Sequence, residues 1–193
     1  IGVSSSAGLG AVIAIYYGVA ALSSFAIPLF AIVFALAAML ILAWLAGKDA
    51  SVLTLILAGV AISSLAAALT SLAMNLSPNP FSLNDIILWL LGSLSNRSYT
   101  ELLLPFIVLG WGLLILTRGA LPALSLGEDA AATLGVDLRR LRLLIIFGAA
   151  FCVGGSVAVS GAIGFVGLVA PHLVRPFVGH DPGRLLVPSA FAG

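Results

Sequence analysis

The most regular feature of the chain is the spacing of its polar breaks. No Asp, Glu, Lys or Arg occurs from Ile1 to Gly47, from Ala50 to Asn84, from Leu102 to Thr117 or from Leu143 to Val174. About 20 apolar helical residues cross the ~30 Å hydrocarbon core of a bilayer. A backbone in lipid must satisfy its own hydrogen bonds, which leaves helices or closed barrels. These runs are too long and too uniformly apolar for the in/out alternation of barrel strands. The pattern predicts an all-α, polytopic helical bundle with about six crossings: Ala7–Leu22, Phe25–Ala46, Val52–Met74, Leu102–Thr117, Leu143–Ser160 and Ala162–Val178. Gly8 and Gly10 interrupt the first, and Pro171, His172 and Arg175 mark the sixth.

Basic residues orient this bundle. With six crossings, Lys48, Arg118, Arg139, Arg140, Arg142, Arg175 and Arg184 fall on one side and only Arg97 on the other. The side with seven is the cytoplasmic one. Dropping the sixth crossing would put Arg175 and Arg184 outside, so the alternation favours keeping it.

Composition narrows the function classes. Of the 193 residues, 62% are hydrophobic and 8% charged, whereas soluble domains are about half apolar and about a quarter charged. A soluble enzyme and a disordered segment are excluded. The net charge of +1 gives no footprint for a nucleic acid. The single Cys152 allows no internal disulfide or thiolate cluster and reads as a small buried packer. No basic leader followed by a cleavage site is present. A start at Ile1 without Met and an end at Gly193 inside an apolar stretch suggest a piece of a longer protein.

Two links carry more than a connection. The outer link, 75–101, opens with the helix breakers Asn75-Leu-Ser-Pro-Asn-Pro80. An amphipathic helix Leu83–Leu94 follows, with Asp85 near its positive end and Ile86, Trp89 and Leu90 at helical spacing. It reads either as an interfacial helix anchored by Trp89 or as a gate at the outer mouth of a path, with Asp85, Trp89, Gly92 and Ser93 as its candidate residues. In the inner link, 118–142, Ser125-Leu-Gly-Glu128 has the form of a capping box. A helix Leu126–Leu134 would follow, with Leu126, Ala130, Ala131 and Leu134 on one side. Gly135 suits its left-handed end. Asp137 would cap a second helix, Leu138–Arg142, that merges into the fifth crossing. A link with its own structure points to a docking surface.

The spacing Gly127-Glu128-x-x-Ala131-x-x-Leu134-Gly135 resembles the cytoplasmic coupling motif of ABC-importer permeases. Gly161-Ala-Ile-Gly-Phe-Val-Gly-Leu-Val-Ala-Pro-His-Leu-Val-Arg175, with Gly179-His-Asp181 and Arg184-Leu-Leu, is similar to the type II importers for iron–siderophore, haem and cobalamin. Leu55–Ile62, Trp89-x-x-Gly92-Ser93 and Gly2-Val-Ser-Ser-Ser-Ala-Gly8 extend the likeness over essentially the whole chain. The resemblance implies a ten-crossing permease in a prokaryotic cytoplasmic (inner) membrane, of which this chain carries roughly the third to eighth crossings. It implies a second permease subunit in a homodimer or close heterodimer, two ATPase subunits that carry ATP and Mg, and an external substrate-binding protein. Gly127, Glu128, Ala131, Leu134 and Gly135 would sit in the ATPase groove. Val52–Met74 and Leu83–Leu94 would border the path.

The chain itself has no phosphate-binding loop: Lys48 follows Gly47 but precedes Asp49, and no glycine stands at position 42. Gly161, Gly164 and Gly167 lack the strand and spacing of a dinucleotide fingerprint. Gly148, Gly154, Gly155, Ser156 and Ala158 read as close-packing positions. Pro171, His172 and Arg175 are inner-end candidates. Their structural reading has Arg175 snorkelling to the headgroups and His172 bonded to a carbonyl freed by the proline; an ionisable pair inside a crossing is the functional one. His180 and Asp181 are too few for a metal site. No catalytic constellation is visible, so no enzyme activity, resident cofactor or metal is expected of this chain. The alternative to an ATP-driven importer is a secondary transporter or channel, which would want carboxylates within its crossings.

Overall fold

The computed structural model describes residues 2–19, 23, 25–46, 52–77, 80–92, 104–163, 166–178 and 181–193. Among them are ten helices: α1 (Val3–Tyr16), α2 (Ala26–Ala46), α3 (Val52–Asn75), α4 (Pro80–Leu90), α5 (Leu104–Leu116), α6 (Leu121–Leu124), α7 (Glu128–Thr133), α8 (Leu138–Ser160), α9 (Val166–Val178) and α10 (Pro182–Ala192). Three are long and apolar enough to cross a membrane, over Ala26–Leu45, Leu53–Asn75 and Leu138–Ser160, and Val3–Tyr16 and Pro105–Leu116 are shorter apolar helices. The all-helical membrane architecture is therefore the one expected.

Two predicted crossings shift. The first runs Val3–Tyr16 rather than Ala7–Leu22. Ser6 is buried within the helix, and Gly8 and Gly10 continue it rather than break it. The sixth begins at Val166, four residues after Ala162, and its 13 residues hold both Pro171 and Pro176. Helix α10 has no counterpart among the predicted crossings. Its signal was present: the Asp181 carboxylate accepts from the Gly183 amide at 2.8 Å and Pro182 takes the first turn, a pairing that starts helices.

The chain divides into two compact units, residues 1–108 with 150–163, and residues 109–149 with 164–193. In the first unit α1 is buried on nearly every side, through Val3, Ala7, Gly8, Leu9, Gly10, Ala11, Val12 and Ala14. Such a helix needs no amphipathic stripe. Small residues let its neighbours close in. A side chain on Gly10 would meet the Phe30 carbonyl and Phe34 Cβ (2.9 Å), and one on Gly154 would meet Ile32 Cα at 2.7 Å. Without a hydrophobic drive between helices in lipid, this contact density is what holds them. The core joins Val3, Ala7, Ala31, Ala35, Ala150 and Val157, with Trp89 and Phe106 packed against it. Cys152, half-buried, has its thiol 3.8 Å from the Ile107 carbonyl.

The ends of α1 and α3 are bridged by the Tyr16 hydroxyl, which donates to the Leu76 carbonyl at 3.0 Å. Both ends belong to the side that the basic residues assign as outer. By contrast α3 keeps far less cover than α8. Leu53, Leu57, Val60, Leu65 and Leu72 are exposed.

In the second unit Gly148 brings α8 against α5, where an added side chain would strike Leu114 Cγ at 2.8 Å. Trp111 of α5 meets Phe191 of α10 edge-on at 6.0 Å.

Candidate functional site: the inner knob

The inner link folds into a knob within the second unit. Thr117 ends α5, almost fully buried, its hydroxyl donating to the Leu114 carbonyl at 2.6 Å. The chain then turns through Ala120 N–H to the Thr117 carbonyl (2.9 Å) into α6, which carries Pro122 in its first turn. The start of α10 lies against this turn: a side chain on Gly183 would collide with the Arg118 carbonyl at 2.6 Å. This contact joins two ends that the basic residues assign to the cytoplasmic side.

The expected capping box is absent. The Ser125 hydroxyl donates backwards to the Pro122 carbonyl at 2.6 Å. Gly127 occupies the N-cap, with no side-chain cap bond. The helix accordingly starts at Glu128 and not at Leu126, because Ser125 is committed to closing α6. Glu128 is freed for another partner, Arg142 of α8, at 3.2 and 3.3 Å to its two oxygens. Glu128 and Asp129 in the first turn suit the positive helix end.

The far end of α7 agrees with the sequence. The Val136 amide donates to the Ala131 carbonyl (3.1 Å) and the Gly135 amide to the Ala132 carbonyl (3.0 Å), while Gly135 adopts φ +84°. Those two bonds define a Schellman end. Asp137 then caps α8 by accepting from the Arg140 amide at 3.0 Å, and α8 runs on to Ser160 without a break.

The predicted single apolar side of this helix is divided. Ala131 is fully buried, whereas Leu126 and Leu134 are 69% and 64% exposed. A six-residue helix with one small residue inward and leucines outward is held from beneath and presents apolar surface outward.

The outer candidates separate as well. Helix α4 starts at Pro80, three residues before Leu83, so Asp85 stands mid-helix and exposed rather than at the positive end. Ile86 is fully buried and Trp89 packs on the core of the first unit. Gly92 ends the helix with φ +68°. Ser93, Arg97, His180 and the remainder of the outer link to Glu101 lie outside the described residues. On α9, Pro171 is half-buried, and His172 and Arg175 are exposed. Among the described residues His172 has no carbonyl partner. No group of three or more metal-ligating side chains occurs among the described residues.

Long apolar helices with a structured inner link define a polytopic helical membrane protein. The chain belongs to the FecCD transport family, whose family model matches residues 1–193. It is 41% identical, over 100% of its length and 56% of the relative's, to the ABC transporter permease protein YvrB of Bacillus subtilis. It is 37% identical to the vitamin B12 import system permease protein BtuC of Klebsiella pneumoniae, over 98% of this chain and 57% of that one. The molybdate import system permease protein MolB of Haemophilus influenzae is 35% identical over 100% and 58%. A solved structure, the inward-facing conformation of an ABC transporter assigned to the metal-chelate type, superposes with a TM-score of 0.80 at 35% identity, covering 99% of this chain and 63% of that one. The chain thus spans a little over half the length of these curated relatives.

Proposed function

We propose that this chain forms the central part of the permease subunit of an ATP-driven importer in the cytoplasmic membrane of a prokaryote. The carrying observation is the inner knob: a short helix fixed at both ends, with Leu126 and Leu134 turned outward, inside a chain of the FecCD family. Gly127, Glu128, Ala131, Leu134 and Gly135 build the part that an ATPase subunit would grip. ATP and Mg belong to that partner. A second permease copy completes the path, and an external binding protein delivers the solute.

The solute class is a metal-containing compound. Relatives are named for vitamin B12 and for molybdate, so the class is wider than the ferric siderophore, haem and cobalamin suggested by the motifs. Transport requires that nucleotide bind two conformations of the assembly with different affinity. The knob passes that difference to the crossings, which open to one side and then the other.

The test is uptake by vesicles bearing the complete permease with its ATPase and binding protein. Cyanocobalamin, ferric hydroxamate, haemin and molybdate are offered in turn. Uptake of one of them should persist when an uncoupler collapses the proton gradient and ATP is kept high. Uptake that vanishes with the gradient, ATP being intact, refutes the proposal in favour of a secondary transporter.

A further inference from the structure

In the first unit, the end of α4 and the end of α8 meet backbone to backbone. Gly92 follows α4 with φ +68° and Gly161 follows α8 with φ +78°. A side chain on Gly161 would drive into the Trp89 carbonyl and lie 2.8 Å from Gly92 Cα. One on Gly92 would lie 2.9 Å from the Ser160 carbonyl and 3.3 Å from Ile163 Cγ1. The obstacles are mainly main-chain atoms, which cannot rotate away as a flexible side chain would.

Each segment is braced next to the contact. Gly92 N–H donates to the Trp89 carbonyl at 3.2 Å, and the Gly161 carbonyl accepts from the Ile163 amide at 2.9 Å and the Ser160 hydroxyl at 3.2 Å. Ile86, with no exposure, and Trp89, packed on the core, fix the rotation of α4 about its axis.

We infer that the Gly92–Gly161 contact is a positioning joint that seats α4 on the end of α8, so that α4 is carried by the bundle rather than floated in the headgroups by Trp89. Gly92 and Gly161 are positioning residues, and the absence of side chains at both is what the seat requires. Only the role of α4 beside the path rests on the function proposed above; the seat itself is a property of the folded chain.

The experiment compares three variants of the complete permease by hydrogen exchange and mass spectrometry. Gly161→Ala and Gly92→Ala place a methyl group in the joint. Gly18→Ala is the control: Gly18 has nearly the same φ, +69°, but nothing within 4 Å of an added Cβ. Read on the amides at the end of α1, it shows what the same backbone strain does to a helix end without the collision. Amides of α4 should exchange about tenfold faster in Gly161→Ala, whose strain lies on α8, than in the parent, and should be accelerated more by Gly92→Ala than the α1 end is by the control. Size-exclusion elution at the parental position checks folding, and Gly92→Ala, with the milder clash, carries the test if Gly161→Ala does not fold. Parental exchange of α4 in the folded joint variants overturns the inference. So does a Gly92→Ala effect on α4 no larger than the Gly18→Ala effect on the end of α1, together with parental α4 exchange in Gly161→Ala, which would assign the effect to strain alone. Since exchange is read without solute or ATP, this result and that of the uptake assay are independent.

Discussion

Gly135 offers the sharpest test of how the knob is held. Its φ of +84° closes the Schellman end of α7, and a Cβ placed there would meet nothing within 4 Å. Alanine there is therefore free of collision, and its cost lies in the backbone alone. For an L-residue that cost is roughly 1–2 kcal/mol in the left-handed region, with Asn spared part of it. Since about 1.4 kcal/mol is a factor of ten, the equilibrium for the closed end should fall about fivefold to thirtyfold in Gly135→Ala. Gly135→Val should fall further, because a branched side chain is the least tolerant of positive φ. Gly135→Asn should lie between parent and Ala. The assay is titration of the purified complete permease with the ATPase subunit proposed above. Affinity should order as Gly, Asn, Ala, Val, and uptake should follow it. Val binding as tightly as the parent, or Asn as weakly as Ala, would refute the argument that backbone conformation at this position sets the docking geometry.

Two further outcomes follow from the same geometry. Arg142 and Glu128 are 43% and 50% exposed, so Glu128→Gln should change thermal stability by no more than a fraction of about 1 kcal/mol, since solvent screens such a pair; Glu128→Arg, which faces Arg142 with a like charge, should weaken ATPase co-purification while leaving detergent elution unchanged. Gly10→Val should act on folding, because its side chain would enter the Phe30 carbonyl and Phe34 Cβ; overpacking of a tight core costs about 1–3 kcal/mol or more, read as a lower monodisperse yield, whereas Gly112→Ala in α5, with open space around it, should elute as the parent does.

The helical membrane class could be read from the sequence because it depends on local rules. A long uncharged run must satisfy its own hydrogen bonds in lipid, and that holds for α2, α3 and α8 whatever they pack against. Caps that use nearest neighbours were legible for the same reason: Gly135 and Asp137 act within a turn of themselves, and both do what their positions require. Asp181 with Pro182 is equally local, and it starts a helix that a division of the apolar residues into crossings does not contain.

What tertiary structure decided is the choice among partners. Ser125 and Glu128 have capping-box spacing, yet Ser125 closes the preceding turn and Glu128 pairs with Arg142, fourteen positions along the chain. Gly8 and Gly10 read by themselves as breaks, but the helix around them is buried, and glycine at position 10 serves close approach. Trp89 alone is compatible with a headgroup anchor; only its packing on the core, and the meeting of Gly92 with Gly161, give α4 its seat. Composition and periodicity record what each segment requires of its surroundings. Which distant segment meets that requirement is settled by the whole packing, because competing partners of similar local energy are separated only by the contacts that the rest of the chain makes available.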